Sequence, residues 1–175
     1  FDLHAQRNKW LGNITGLKYF NVYGPNEDHK GEMRSLVNKA YNQISETGRI
    51  KLFRSHQKDY KDGEQKRDFL YIKDAVAMTL HLAATPTATG LYNIGSGKAN
   101  TWICLANAIF SAMAKEPQID FIDIPGSIRE KYQYFTRADI SKLREAGYEK
   151  PLTPLSEAVK DYVQNYLAKE NRLGD

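Results

Sequence analysis

Residues 16–25 read GLKYFNVYGP. The apolar run Gly16 to Phe20 follows a Gly-Asn-Ile-Thr turn signal and ends at Asn21-Val22-Tyr23-Gly24-Pro25, which suits a buried strand delivering its C-terminal end to a loop. Beyond that loop, from Met33 onward, Leu36, Val37, Ala40, Tyr41 and Ile44 recur at helical spacing until Gly48, so an amphipathic helix is expected. Strand, loop and helix in that order form the unit of a parallel α/β sheet.

The alternation continues outward from this stretch. Lys51 to Phe53 reads as a short strand, followed by a polar loop, SHQKDYKDGEQK, around Asp62-Gly63. Asp68 to Ile72 reads as a strand and Lys73 to Ala84 as a helix with Val76, Leu80 and Ala83 on one face. Leu91 to Ile94 is a further strand, ending in Gly95-Ser96-Gly97. Thr101 can cap a helix in which Trp102, Leu105, Ala106, Ile109, Phe110 and Met113 recur at helical spacing, with Cys104 expected to pack inside it. Gln118 to Ile122 alternates as a strand, and Pro125-Gly126 turns the chain. A short helix over Asp139 to Ala146 stops at Gly147, and a last one starts at Thr153-Pro154 with Leu155, Ala158, Val159, Tyr162 and Tyr166 inward. Three or four strong strands are few for a doubly wound sheet, so the sheet reads as incomplete.

Composition narrows the class. The chain has 175 residues, 41% hydrophobic and 26% charged, which is ordinary for a globular protein and argues against disorder or a fibrous repeat. No apolar run approaches the roughly 20 residues that cross a bilayer. The opening FDLHAQRNKW has neither a starting Met nor the pattern of a secretory signal, and reads as an interior segment. With Cys104 as the single cysteine, no intrachain disulfide can form, and a reducing cytoplasm fits. No paired Cys/His spacing suggests zinc, and His4, His29, His56 and His81 share no ligand spacing, so no metal is expected. A net charge of +4 suits nucleic acid, anionic lipid or a phosphorylated small molecule, but solvated lysines need no partner at all. The aromatics Tyr19, Phe20, Tyr23, Phe69 and Tyr71 read as core or pocket wall, which leaves nucleic-acid binding little support.

Four segments fall at loop or strand ends, where α/β sheets bind ligands: Asn21 to Pro25, His29-Lys30-Gly31, Lys66 to Phe69, and Lys131-Tyr132-Gln133. The Lys30 ammonium either approaches a pocket or points into water. Lysine acts as a base only where desolvation or a cationic neighbour makes it one. Arg67 either holds a phosphate through its planar fork or pairs with Asp68 or Asp74. Gly95-Ser96-Gly97 is followed by Asn100 where a dinucleotide fingerprint needs its third glycine, so a plain turn is expected there.

The segments LKYFNVYGPNEDHKGEM, YKDGEQKRDFLYIKDAV, GLYNIGSGKANT and EKYQYFTRADISKLREAGY together resemble the nucleotide-sugar epimerases of the extended short-chain dehydrogenase/reductase type. NVYGP and RDFxYxxD mark the superfamily, while the surroundings of His29-Lys30-Gly31 and Tyr132 to Thr136 are similar to the ADP-glyceromanno-heptose 6-epimerase family. The resemblance implies the C-terminal part of a Rossmann-type cofactor domain (residues 1–25, 67–97 and 136–150) interleaved with a small α/β substrate domain (26–66, 98–135 and 151–175). It also implies bound NADP, cytoplasmic synthesis of lipopolysaccharide core heptose, and a homo-oligomer without membrane or nucleic-acid partners. In that family, oxidation and reduction at C6 of ADP-heptose invert the centre. One acid/base group comes from a Tyr-x-x-x-Lys motif, which the chain lacks, and the other from a lysine matching Lys30.

Family matching places Val22 and Lys30 at the cofactor. It places Asn21, Glu32, Lys39, Phe53, Arg54, Ser55, His56, Arg67 and Tyr132 around the substrate. Glu32 stands where some relatives have a substrate-contacting Ser, Lys39 where some have His, and the longer YKDGEQ loop loosens the match from Arg54 to His56. The chain alone is expected to be inactive. The alternatives are an epimerase or dehydratase of UDP- or dTDP-hexoses, or a non-catalytic sugar-nucleotide binding module.

Overall fold

The computed structural model describes residues 2–12 and 14–174. Its helices are α1 (Asp2–Arg7), α2 (Leu36–Thr47), α3 (Ile72–Ala83), α4 (Trp102–Ala112), α5 (Gly126–Arg129), α6 (Ser141–Glu145) and α7 (Leu155–Asp161), the last continuing into a π turn, Tyr162–Tyr166. Its strands are β1 (Thr15–Tyr19), β2 (Asn21–Tyr23), β3 (Ile50–Phe53), β4 (Lys66–Arg67), β5 (Phe69–Tyr71), β6 (Gly90–Ile94), β7 (Asn100–Thr101) and β8 (Ile119–Ile122).

The opening stretch changes partners at Phe20. β1 pairs in parallel with β6, Leu17 opposite Tyr92, whereas β2 pairs in parallel with β5, Val22 opposite Leu70. The Phe20 N–H still reaches Ile94 O at 2.9 Å, and the Asn21 N–H reaches Asp68 O at 3.2 Å. Asn21 to Tyr23 is therefore strand, a correction to the loop expected there, because β5 starts where β6 ends and takes up the free backbone groups. β3 and β8 form a third parallel pair, and β4 and β7 a short antiparallel one.

Two cores meet at β5, whose alternate side chains point opposite ways. Phe69 and Tyr71 join Val37, Ala40, Ile44, Leu105, Ile109, Phe110, Val159 and Tyr162; Leu70 joins Ala75, Met78, Leu82, Tyr92, Ile94, Leu143 and Tyr148. The expected helix after Met33 begins later, because Ser35 caps α2 by accepting the Asn38 N–H, and Gly48 closes it at φ 73. Met33 lies outside and is 86% exposed. Val76, Leu80 and Ala83 do share a face of α3, but it is the outer one, with Leu80 64% exposed. Ala75, Met78 and Leu82 fill the core instead, so α3 is apolar on two sides, the pattern of a helix covered on both. Cys104 is exposed rather than packed.

Gly95, at the end of β6, permits a close approach. A Cβ there would meet the Ala138 Cβ at 2.4 Å and the Asp68 carboxylate at 3.1 Å. Gly95→Ala is expected to cost about 2 kcal/mol, the scale of overpacking, seen as a lower urea midpoint with an unchanged slope.

Candidate functional site

Asp68 lies between the two cores and is fully buried. One carboxylate oxygen accepts from the Ser96 N–H at 2.6 Å and the Ser96 hydroxyl at 2.7 Å, the other from the Gly97 and Ala138 N–H groups, each at 2.9 Å. The Gly95-Ser96-Gly97 loop thus cradles a carboxylate of its own chain. This ties the strand ends β5 and β6 to the segment after Phe135 and fixes the direction of the preceding residue, Arg67.

Arg67 is 7% exposed. Its guanidinium donates to Lys66 O at 2.9 Å and to Gln133 O, and lies 5.3 Å from the Tyr132 ring and 5.9 Å from the Trp102 ring. Neither Asp68 nor Asp74 pairs with it, which closes that sequence alternative: Asp68 is taken by backbone amides, and Asp74 accepts from Thr153 N and Oγ1. Burial lowers the Arg67 pKa from its ordinary value, and burial raises that of the Tyr132 phenol. A buried guanidinium faced by rings and carbonyls rather than a carboxylate has the chemistry to receive an anion.

Phe53 packs on Tyr132 at 5.9 Å, and Tyr132 on Tyr134 at 5.5 Å. The Tyr134 hydroxyl accepts the His56 N–H at 2.9 Å, so the backbone of 53–56 borders the Arg67 cluster. Their polar side chains turn elsewhere. Arg54 Nε donates to Phe121 O, Ser55 Oγ to Gln57 O, and the His56 ring lies 4.0 Å from Asp123.

Lys30 sits in a 3₁₀ segment, Asp28–Met33, kinked at Gly31. Glu27, 2% exposed, fastens its start by accepting from Ser35 N at 2.7 Å, Ser35 Oγ at 2.5 Å and Tyr162 Oη at 2.9 Å. Asn26 pairs both ways with the Leu173 backbone. Arg34 Nε donates to Gly31 O at 2.8 Å. Removing the buried acceptor should loosen the segment: Glu27→Ala is expected to cost about 2–3 kcal/mol, read from thermal unfolding, and to expose residues 28–34 to proteolysis.

Between these fixed points the Lys30 side chain is exposed, on the wall of a cavity of about 540 Å³ shared with Tyr19, Phe20, Val22, Ile72 and Val76. Asn21 lines a second cavity, about 250 Å³, with Val22, Ser35, Phe69 and Trp102. Val22 belongs to both walls. Glu32 and Lys39 pair with each other at 3.3 Å and line neither cavity. Lys30 and Val22 are thus brought together, Asn21 is next door, and Arg67, Tyr132 and Phe53 form a separate cluster reached through Trp102.

Trp102, Asp68 and Glu27 are the residues sequence reasoning missed. A tryptophan at a helix start reads as core, and nothing in the local sequence says that a carboxylate will be buried. Among the described residues no helix is long and apolar enough to cross a membrane, and no cluster of metal-ligating side chains occurs.

Residues 3–95 match the profile of the NAD dependent epimerase/dehydratase family. The chain is 51% identical over 168 residues to the ADP-L-glycero-D-manno-heptose-6-epimerase of Nitratidesulfovibrio vulgaris (strain DP4), covering 96% of this chain and 52% of that protein. It is 49% identical over 177 residues to the protein of the same name from Fusobacterium nucleatum, covering 98% and 52%. The Helicobacter pylori ADP-L-glycero-D-manno-heptose-6-epimerase superposes with a TM-score of 0.76 at 26% identity, over 95% of this chain and 48% of that one. The chain spans about half the length of the curated relatives it matches. With its parallel α/β pairs and more than half its length inside the matched profile, the chain belongs to the NAD dependent epimerase/dehydratase family.

Proposed function

We propose that this chain supplies the substrate side, and the last strands of the cofactor domain, of an epimerase acting on ADP-glycero-manno-heptose at C6 with NADP. The observation that carries the reading is Arg67, a buried guanidinium between Trp102 and Tyr132 with no carboxylate partner among the described residues, suited to a nucleotide diphosphate. Relatives at 49–51% identity, named for the heptose substrate, supply the sugar. In this reading residues 1–25, 67–97 and 136–150 belong to the cofactor domain and the rest to the substrate domain. Asn21, Phe53, Arg67 and Tyr132 contact substrate, Arg54, Ser55 and His56 border it through their backbone, and Glu32 and Lys39 lie at its margin. The enzyme works in the cytoplasm as a homo-oligomer, making heptose for lipopolysaccharide.

The apolar cavity walled by Val22, Tyr19 and Ile72 fits the nicotinamide end of a dinucleotide. The Gly95-Ser96-Gly97 loop is no cradle for the pyrophosphate, since its Ser96 and Gly97 amides are engaged by Asp68. When bound, the nicotinamide takes and returns hydride. Lys30 stands exposed at the mouth of the same cavity, and its amine takes and returns the proton of the reacting hydroxyl once bound cofactor and sugar remove it from water. Arg67 anchors the diphosphate while the sugar turns to present its other face. A second proton-transfer group has to come from residues beyond this chain.

The test is turnover by a protein extended to the full length of those relatives. ADP-glycero-manno-heptose should react and UDP-hexoses should not, and Lys30→Ala should lower kcat by about a hundredfold or more. A preference for UDP-hexoses would reassign the substrate, an undiminished kcat would remove Lys30 from the chemistry, and epimerisation by the 175 residues alone would overturn the division of labour.

A further inference from the structure

Trp102 joins the two parts of the candidate site. Its ring walls the 250 Å³ cavity beside Asn21, Val22 and Phe69, and it also neighbours the Arg67 guanidinium, 5.9 Å away. The backbone sets this position. In the β4–β7 pair Arg67 lies opposite Asn100 and Lys66 opposite Thr101, and the Trp102 N–H donates to Gln65 O at 3.2 Å. Thr101 Oγ1 accepts the Cys104 N–H at 3.0 Å and starts α4, and Phe69 meets the indole edge-on at 5.0 Å. The ring is therefore held from several sides.

Its Nε1–H is nevertheless buried with no acceptor in hydrogen-bonding geometry, although the Tyr132 phenol lies close enough for the indole to favour its ionised form. Buried tryptophans normally find a partner for this group, and leaving it unpaired is costly. Here it sits beside a buried guanidinium that has no carboxylate partner among the described residues. An indole N–H without an acceptor and a guanidinium bonded only to neutral backbone carbonyls converge on one region, the arrangement that an oxygen-rich anion satisfies.

Resting on the reading of Arg67 as the diphosphate anchor, we propose that Trp102 is a further substrate-binding residue. Its Nε1–H donates to a diphosphate oxygen of the nucleotide sugar, and its ring forms the partition between the diphosphate and the Asn21 cavity. The competing role is that of a ring that only fills space between Phe69 and Arg67.

The chain has two tryptophans, so Trp10→Phe leaves Trp102 as the sole indole emitter. ADP titrated into that variant should shift the Trp102 emission and saturate at the dissociation constant found by calorimetry. Trp102→Phe keeps a ring and removes the donor. It should weaken ADP about tenfold, equivalent to about 1.4 kcal/mol, with an unchanged melting temperature. Calorimetric binding with silent emission, or equal ADP affinity in Trp102→Phe, overturns the proposal and leaves Arg67 as the anchor. No ADP binding by the parent chain removes the Arg67 reading, and this proposal with it.

Discussion

Asp68→Ala is expected to leave the chain largely unfolded at ordinary temperatures. The substitution strips a fully buried acceptor from the Ser96, Gly97 and Ala138 N–H groups at once. At about 1–3 kcal/mol for each of the three orphaned donors, the loss is about 3–9 kcal/mol, against a total stability of about 5–15 kcal/mol for a typical protein. Asp68→Asn keeps the shape and one acceptor, and should cost roughly half as much. Urea unfolding followed by circular dichroism measures both. If both variants stay within about 1 kcal/mol of the parent, a typical surface-like effect, the carboxylate is not the tie between the strand ends.

Arg67→Met separates stability from binding. Taking a guanidinium out of water is costly, and Arg67 recovers that cost only from two carbonyls and two rings. Lys66 O keeps the Thr136 N–H at 3.2 Å after the change, so Gln133 O is the acceptor left behind. The expected stability change is therefore within about 1 kcal/mol, because replacing a buried charge by an apolar side chain of similar length is often neutral. Binding behaves otherwise: ADP affinity should fall by about 2–4 kcal/mol, from roughly thirtyfold to a thousandfold. Arg67→Lys should lose most of it too, since an ammonium cannot reproduce the planar fork. Melting curves and calorimetry on the same preparations check both halves. A large drop in melting temperature with retained ADP affinity would make Arg67 a structural residue.

The strand and helix alternation was legible because apolar spacing alone separates period two from period 3.6. The partner switch at Phe20 was not, since it depends on where β5 and β6 end relative to each other. α3 shows the limit of periodicity plainly. Ala75, Met78 and Leu82 form one apolar stripe and Val76, Leu80 and Ala83 another, and the sequence does not say which faces inward. The Arg67 environment was half legible: the fork was read as a phosphate holder or an ion-pair partner, but the capture of Asp68 by distant amides decided against the pair. Glu27 was invisible because its partner Tyr162 lies 135 residues away in the chain. Lys30 and Asn21 stand out by their place at loop and strand ends, while their roles come from the resemblance.

The most direct test is an NMR titration of the isotopically labelled chain with ADP. The account predicts that the largest shifts fall on the Asn21 amide, the Arg67 guanidinium, the Trp102 indole N–H and the Tyr132 amide, saturating together. Shifts centred instead on Ser96, Lys98 and Arg137, which line a separate cavity of about 640 Å³, or no shift at saturating nucleotide, would contradict it.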